Sequence, residues 1–130
     1  MSRRLLKPAG WPRPSGYSHG VVAEGRLVFV AGQVGWDSAG RFPSRCFLQQ
    51  SRLALGNVLA VLAEAGLGAE HIVRLTWYVT DIDAYRRQRG ELGRIYRELM
   101  GDHYPPMTLV GVTALLEPEA VVEIEATAVG

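Results

Sequence analysis

The chain has 130 residues and a mass of 14.2 kDa, the size of one ordinary domain with a single core. Hydrophobic residues make up 48% and charged residues 21%, a composition that excludes a disordered, collagenous or fibrous protein. Fourteen basic and thirteen acidic side chains leave a net charge of +1, too near neutrality for a protein that binds nucleic acid mainly by neutralising phosphates. We therefore do not expect a nucleic-acid partner.

The N-terminal segment is basic and is interrupted by Pro8, Pro12 and Pro14. Because proline removes a backbone donor and fixes φ, residues 1–16 are interpreted as an irregular lead-in to one domain that spans residues 1–130. No apolar segment with a small-residue cleavage site follows the arginines, and no run approaches the roughly 18 apolar residues of a membrane span. These features favour a soluble, cytoplasmic protein with no membrane contact.

The first predicted elements are two strands and a helix. Residues 18–23 and 26–31 are β-prone runs on either side of a two-residue loop that contains Gly25, a pattern that predicts a β-hairpin. From residue 47 to residue 65 apolar side chains recur at spacings of three, four and seven, which predicts an amphipathic helix. Gly66 is a natural residue to end that helix.

The second half of the chain alternates a strand, a helix and two strands. Residues 72–80 place apolar and polar side chains on opposite faces, which predicts a strand with one buried face. Asp81 or Asp83 can cap a helix that runs to about residue 100, and capping explains these aspartates more simply than acid–base chemistry. Residues 107–115 and 120–129 complete the predicted elements as two strands.

The predicted order ββαβαββ favours a two-layer α/β sandwich, in which one mixed sheet carries both helices on one face. The other face of the sheet then has no helix to cover it. Association with further copies of the chain is the simplest way to cover that face.

The residues that carry most catalytic and metal chemistry are few. They are His19, His71, His103 and Cys46. Because none has metal-ligand spacing, no metal site is expected, and each histidine is interpreted as a surface or locally hydrogen-bonded side chain. A single cysteine also excludes an internal disulfide.

Two carboxylates near the C-terminus are close to each other in the sequence. Glu123 and Glu125 are two residues apart in a predicted strand, so both point to one face. If one is partly buried, desolvation and repulsion from the other increase its affinity for a proton and make it an acid or a base near neutral pH. The alternative is an exposed strand face or an ion pair with an arginine.

Four ordered segments carry a family resemblance: residues 15–20 (SGYSHG), 28–34 (VFVAGQV), 57–66 (NVLAVLAEAG) and 122–126 (VEIEA). With this spacing the chain resembles the RidA/YjgF family, also labelled endoribonuclease L-PSP, over residues 12–129. The resemblance implies a chorismate-mutase-like α/β fold and a homotrimer with three clefts between subunits. It also implies hydrolysis of enamines and imines, which releases ammonia and needs no cofactor.

The resemblance assigns site residues one position at a time. In the best-known branch an arginine after Pro-Ala binds the substrate carboxylate and a cysteine follows two residues later, whereas this chain has Met107 and Leu109 at those positions. Tyr17, Gly32 and Glu123 match the family pattern. The resemblance therefore implies Glu123 as a base for water, Tyr17 as a hydrogen-bond donor or orienting group, and Gly32, Met107 and Leu109 as substrate-binding residues.

Three functions are compatible with this pattern. The first is an arginine-lacking Rid protein that acts on a small imine, enamine or related neutral metabolite in an intersubunit cleft. The alternative is a non-catalytic binding or regulatory trimer, favoured by the same Met107 substitution. RNA cleavage is a distant third, because there is no basic stripe with interleaved aromatic residues. The sequence leaves open whether Arg74 or an arginine of a neighbouring subunit replaces the missing one.

Overall fold

The computed structural model describes residues 3–130 as a mixed α/β fold with a four-stranded sheet. The sheet has the order β3-β6-β4-β5; β6 is antiparallel to both neighbours, and β4 and β5 are parallel. This confirms the predicted two-layer sandwich. The elements are β1 (Arg3–Leu6), β2 (Gly20–Ala23), β3 (Leu27–Val34), α1 (Phe47–Glu64), β4 (Ile72–Val79), α2 (Ile82–Arg87), α3 (Arg89–Met100), β5 (Met107–Gly111) and β6 (Val122–Val129).

The first helix follows its predicted range closely. Its apolar stripe faces the sheet, and each fully buried leucine on it contributes about 1.5 to 3 kcal/mol to the stability of the fold. The chain leaves the helix at Gly66, where φ is +72°, a backbone conformation that glycine adopts without steric strain. The buried residues of α1 are Phe47, Gln50, Ser51, Ala54, Leu55, Val58 and Leu62.

The second predicted helix is divided in two. Asp81 caps α2, since its side chain accepts hydrogen bonds from the backbone N–H groups of Asp83 at 3.0 Å and Ala84 at 3.1 Å. The helix is interrupted at Gln88, which separates α2 from α3. Beyond the break, Leu92, Tyr96 and Met100 of α3 are buried in the core.

The predicted hairpin is wrong. In the structure β2 pairs with β1 and β3 pairs with β6, so the two β-prone runs join different ladders. The backbone groups of Arg26 exchange hydrogen bonds with Gly130, at 2.8 and 2.9 Å, rather than closing a tight turn toward Ala23. The lead-in is also more regular than predicted, because Arg3–Leu6 form a strand.

Strand alternation places the core on the helix side of the sheet. Leu75, Trp77 and Val79 of β4 are buried there, and Trp77 is only 2% exposed. The opposite face of the sheet, here called the outer face, is covered by no helix of residues 3–130 and carries Phe29, which is 72% exposed. Within residues 3–130, no helix is long and apolar enough to span a membrane.

Candidate functional site

A cavity of about 610 Å³ lies on the helix side, where α2 and α3 face β5. We call it the helix-side cavity. It is lined by Ser15, Gly16, Tyr17, Trp77, Tyr85, Arg89, Gly90, Leu92, Gly93, Tyr96, Arg97, Tyr104, Met107 and Leu109. Three of the predicted site residues therefore line the same cavity: Tyr17, Met107 and Leu109.

Hydrogen bonds hold the segment around Tyr17 against the loop that precedes β5. The Ser18 hydroxyl donates to the carbonyl of Tyr104 at 2.5 Å, and the Ser18 N–H donates to the carbonyl of Pro105 at 3.3 Å. The Tyr17 ring meets the edge of His19 with 5.4 Å between ring centroids. These contacts bring the Tyr17 side chain beside the start of β5, although Met107 is 90 residues further along the chain.

The register of the sheet fixes where Met107 and Leu109 point. Leu75 pairs with Met107 and Trp77 pairs with Leu109. Because directly paired residues project from the same face of a sheet, both side chains share the helix side with Trp77. Both are half-buried, so the position of the family arginine is part of an apolar wall.

Gly32 and Glu123 lie together on the outer face. The ladder between β3 and β6 shifts register between Val30 and Gln33, so Gly32 falls in a bulge that has no partner in the ladder. A Cβ built on Gly32 would lie 2.8 Å from the carboxyl carbon of Glu123 and closer still to one of its oxygens. Glycine at this position therefore leaves room for the carboxylate.

Tyr78, which was not predicted as a site residue, lies beside the two glutamates. Its Cα pairs with that of Glu123, and its hydroxyl donates to Glu125 Oε1 at 2.8 Å. This hydrogen bond, followed by desolvation and the negative charges of Glu125 and Glu123, raises the pKa of Tyr78 above its ordinary value. Strand alternation placed Tyr78 on the polar face, but only the pairing of β4 with β6 reveals its neighbours.

The five residues predicted for the site thus form two groups. Tyr17, Met107 and Leu109 line the helix-side cavity, whereas Gly32 and Glu123 meet on the outer face of the same sheet. One chain does not bring the groups together. Arg74 also belongs to the outer face, in a depression of about 470 Å³ beside Glu125, and does not line the helix-side cavity.

The charged residues of the helix-side cavity are Arg89 and Arg97. No carboxylate is among the residues that line it in the described chain. The Arg89 guanidinium lies over the Tyr85 ring at 5.9 Å from the centroid. Both arginines belong to α3, and they line the cavity because α3 lies across it from β5.

The back of the cavity is built from two stacked tyrosines. The rings of Tyr96 and Tyr104 are 5.4 Å apart and inclined by 15°, and the Tyr96 hydroxyl donates to the carbonyl of His103 at 2.7 Å. Burial raises the pKa of Tyr96 well above its ordinary value, and Tyr104 adds to the effect. This phenol therefore stays neutral and structural at neutral pH.

The histidines have local partners, as interpreted from the sequence. His103 Nε2 lies 2.7 Å from the carbonyl of Ile72, and His71 Nδ1 accepts a hydrogen bond from the Gly68 N–H at 3.0 Å. His19 packs between the rings of Trp11 and Tyr17. In residues 3–130, the His, Cys, Asp and Glu side chains form no group of three or more that could hold a metal ion.

Comparison with known proteins identifies the family. The family model described as Endoribonuclease L-PSP matches residues 12–130. The chain belongs to the RidA/YjgF family. A RutC family protein of Aquifex aeolicus is 38% identical over 129 residues, which are 97% of this chain and 98% of that protein. The human 2-iminobutanoate/2-iminopropanoate deaminase is 29% identical over 129 residues, covering 98% of this chain and 90% of that protein.

Solved Rid structures share the fold over the full chain. YyfB of Yersinia pestis, described as a Rid protein of unknown function, has a TM-score of 0.85 and 33% identity and covers 100% of both chains. Escherichia coli TdcF, solved with bound serine, has a TM-score of 0.71 and 29% identity and covers 98% of both chains. The family resemblance and the chorismate-mutase-like sandwich predicted from the sequence are thereby confirmed, and the family includes deaminases of reactive intermediates.

Proposed function

We propose that this Rid protein binds and hydrolytically deaminates a small imine or enamine in a cleft formed between two copies of the chain. The observation that carries the proposal is the division of the site residues between the two faces of the sheet. The helix-side cavity of one copy supplies the substrate-binding wall, and the Gly32–Glu123 pair of the next copy supplies the carboxylate. The family includes a protein named as an imine deaminase, which supports this chemistry.

The assembly we propose is a homotrimer. Its sheets meet through their outer faces, which buries Phe29 and covers the one large surface that the helices leave open. In such a ring each contact between two chains repeats by symmetry, so three copies form three equivalent clefts. Because β5 is an edge strand of the sheet, the cavity wall that Met107 and Leu109 form lies at the sheet edge, where the outer-face carboxylate of a neighbouring chain can approach it.

In the proposed reaction, water adds across the C=N bond of the substrate. An enamine first becomes the imine by moving a proton from nitrogen to carbon. Glu123 takes a proton from the water as the water oxygen bonds to the imine carbon, and it passes that proton to the imine nitrogen. Collapse of the resulting amino alcohol breaks the C–N bond, releases ammonia and leaves a ketone. Tyr17 orients the substrate by a hydrogen bond, the backbone of Gly32 contacts it, and Met107 and Leu109 shape its apolar side.

The second candidate is a binding or regulatory trimer without catalysis. The specific observation in its favour is that the cavity wall is apolar at residues 107 and 109. A site with an apolar wall but no carboxylate beside a bound water would bind a ligand and leave it unchanged. We do not propose RNA cleavage, because a net charge of +1 gives little attraction for phosphates.

Ammonia release distinguishes the two candidates. A 2-imino acid is generated in solution by an amino-acid oxidase, and ammonia formation is followed with and without the protein. We expect the protein to accelerate ammonia release above the spontaneous rate. Binding of the matching 2-keto acid without any acceleration would contradict the deaminase and support the binding protein.

A further inference from the structure

We propose that Arg89, assisted by Arg97, binds the carboxylate of an anionic ligand in the helix-side cavity, and that Met107 and Leu109 select a ligand with a large apolar or aromatic body. This inference rests on the proposed function, because it names the substrate class of the same site. It replaces the neutral metabolite expected from Met107 alone.

The first observation is the charge of the cavity. Arg89 and Arg97 both line it, and its lining residues in the described chain include no carboxylate. Some arginines of the chain have acidic partners: Arg52 contacts Glu98 at 2.9 Å, and Arg86 contacts Asp83 at 3.4 Å. Among residues 3–130, neither Arg89 nor Arg97 has such an ion pair. An anion is therefore the ligand that this wall complements.

The second observation is the placement of the two guanidinium groups along α3. Residues 89, 93 and 97 are four apart, so they lie on one face of the helix. The Arg97 side chain runs back toward the N-terminus, since its Nη1 lies 3.6 Å from the position of a Cβ on Gly93. This brings its charge to within about one helical turn, roughly 6 Å, of the level of Arg89.

Two glycines keep the space beside these arginines open. A Cβ on Gly90 would meet nothing within 4 Å, and a Cβ on Gly93 would meet only Arg97. Glycine is disfavoured inside a helix, so two of them in α3 need a compensating reason. The cavity supplies one, because both residues line it and a larger side chain would project into the space that a ligand occupies.

The third observation is the apolar remainder of the wall. Met107, Leu109 and Tyr85 give it carbon-rich surface, and the volume of about 610 Å³ falls in the range of cavities that hold drug-sized ligands. A three-carbon acid would leave most of this surface without contacts. The Trp77 indole N–H is a further donor at this wall; it is buried and has no partner among the described residues.

Calorimetry with 2-keto acids, which resemble 2-imino acids in shape and charge, tests the inference. We expect the protein to bind phenylpyruvate at least 10-fold more tightly than pyruvate, because only the larger acid covers the apolar wall. R89Q should weaken phenylpyruvate binding by about 10-fold or more. R94Q is the matched control, since Arg94 is an exposed residue of the same helix that does not line the cavity. The R94Q variant should bind phenylpyruvate as tightly as the parent.

Two further measurements test whether binding depends on the carboxylate of the ligand. Phenylpyruvamide, which lacks the charge, should bind the parent and R89Q equally. The double variant R89Q/M107R moves the guanidinium to the other wall of the cavity and should recover part of the lost affinity for phenylpyruvate. Thermal melting of each variant checks that it is folded.

The outcomes separate the inference from the proposed function. Equal binding of acid and amide, with no effect of R89Q, would overturn the role of Arg89 while leaving the cleft as a binding site. Binding that depends on Arg89 without any ammonia release would uphold the anion site and contradict the deaminase. No binding of either ligand by the parent would overturn both.

Discussion

Glu123 and Glu125 are adjacent on one strand face, yet their carboxylates have different surroundings. The Glu125 carboxylate accepts a hydrogen bond from the Tyr78 hydroxyl, whereas the Glu123 carboxylate faces Gly32 and has no side-chain hydrogen bond or ion pair within residues 3–130. A carboxylate that is half-buried and not engaged by the protein is available to a water molecule. This difference supports Glu123 rather than Glu125 as the proposed base.

The substitution E123Q tests this assignment. Glutamine keeps the shape and a hydrogen-bonding oxygen but cannot accept the proton of water, so we expect ammonia release to fall by about 10² or more. The control is E125Q, which retains an acceptor for the Tyr78 hydroxyl and should keep most of the activity. An equal loss in both variants would contradict the assignment of Glu123.

At the level of elements, one buried polar side chain joins α1 to the loop before β6. The Gln50 side chain is fully buried. Its amide nitrogen donates hydrogen bonds to the carbonyls of Ser44 at 3.0 Å and Glu119 at 2.8 Å. Its amide oxygen accepts a hydrogen bond from the Val121 N–H at 2.8 Å. Because β6 begins directly after this loop, Gln50 helps to place the strand that carries Glu123.

We expect Q50L to lower the free energy of unfolding by about 3 kcal/mol, since it removes all three hydrogen bonds that the buried Gln50 amide makes to part-buried backbone groups. Urea unfolding measures the change. The matched control is Q49L, one position earlier on the exposed side of α1, which should change the stability by less than about 0.5 kcal/mol. Similar losses in both variants would show that Gln50 does not hold the loop.

The packing of α3 against the loop before β5 predicts a pH dependence. Burial raises the pKa of Tyr96 in the native state, whereas the unfolded chain releases this proton near its ordinary value of 10.0. Above that pH the unfolded state binds fewer protons than the native state, so stability falls as the pH rises. Below pH 10 Tyr96 is protonated in both the native and the unfolded state, so its titration lowers the stability only above that pH.

The variant Y96F removes this titration. Its urea unfolding free energy, measured from pH 8 to pH 11, should fall less steeply above pH 10 than that of the parent, by up to about 1.4 kcal/mol per pH unit. Parallel curves for the two proteins would mean that Tyr96 titrates normally in the folded state.

The sequence predicted those elements whose apolar pattern lies within the element itself, and it failed where strands pair with distant segments. The apolar repeat of α1 and the alternation around Trp77 are local, and both elements appear where they were predicted. The hairpin failed because β-prone runs do not identify their partners, which here are the distant β1 and β6.

The candidate site shows the same limit. The family resemblance selected Tyr17, Gly32 and Glu123 by position, but it could not assign them to opposite faces of one sheet, because that depends on the register of β6 between β3 and β4. Arg89 gave no sequence signal of its own. In the sequence it is similar to the other exposed arginines of α2 and α3, and only the structure shows that it lines the cavity.

At the level of the whole molecule, the sheet exposes one face that carries Phe29 and the carboxylate of the proposed base. The proposed trimer covers that face, so light scattering at micromolar concentration should give a mass near three times the 14.2 kDa of one chain. A monodisperse monomer would contradict the intersubunit cleft.

The central claim is that each site takes its carboxylate and its cavity from different chains, and complementation between two inactive variants tests it most directly. E123Q removes the carboxylate, and G93W fills the helix-side cavity; each alone should be nearly inactive while keeping the mass of the parent assembly. When the two are denatured together and refolded, a cavity of an E123Q chain can meet the Glu123 of a G93W chain. Random mixing then restores about one quarter of the parent's ammonia release, because one contact in four combines two intact halves. If the mixed assemblies stay as inactive as the separate variants, both halves of the site belong to one chain and the claim is wrong.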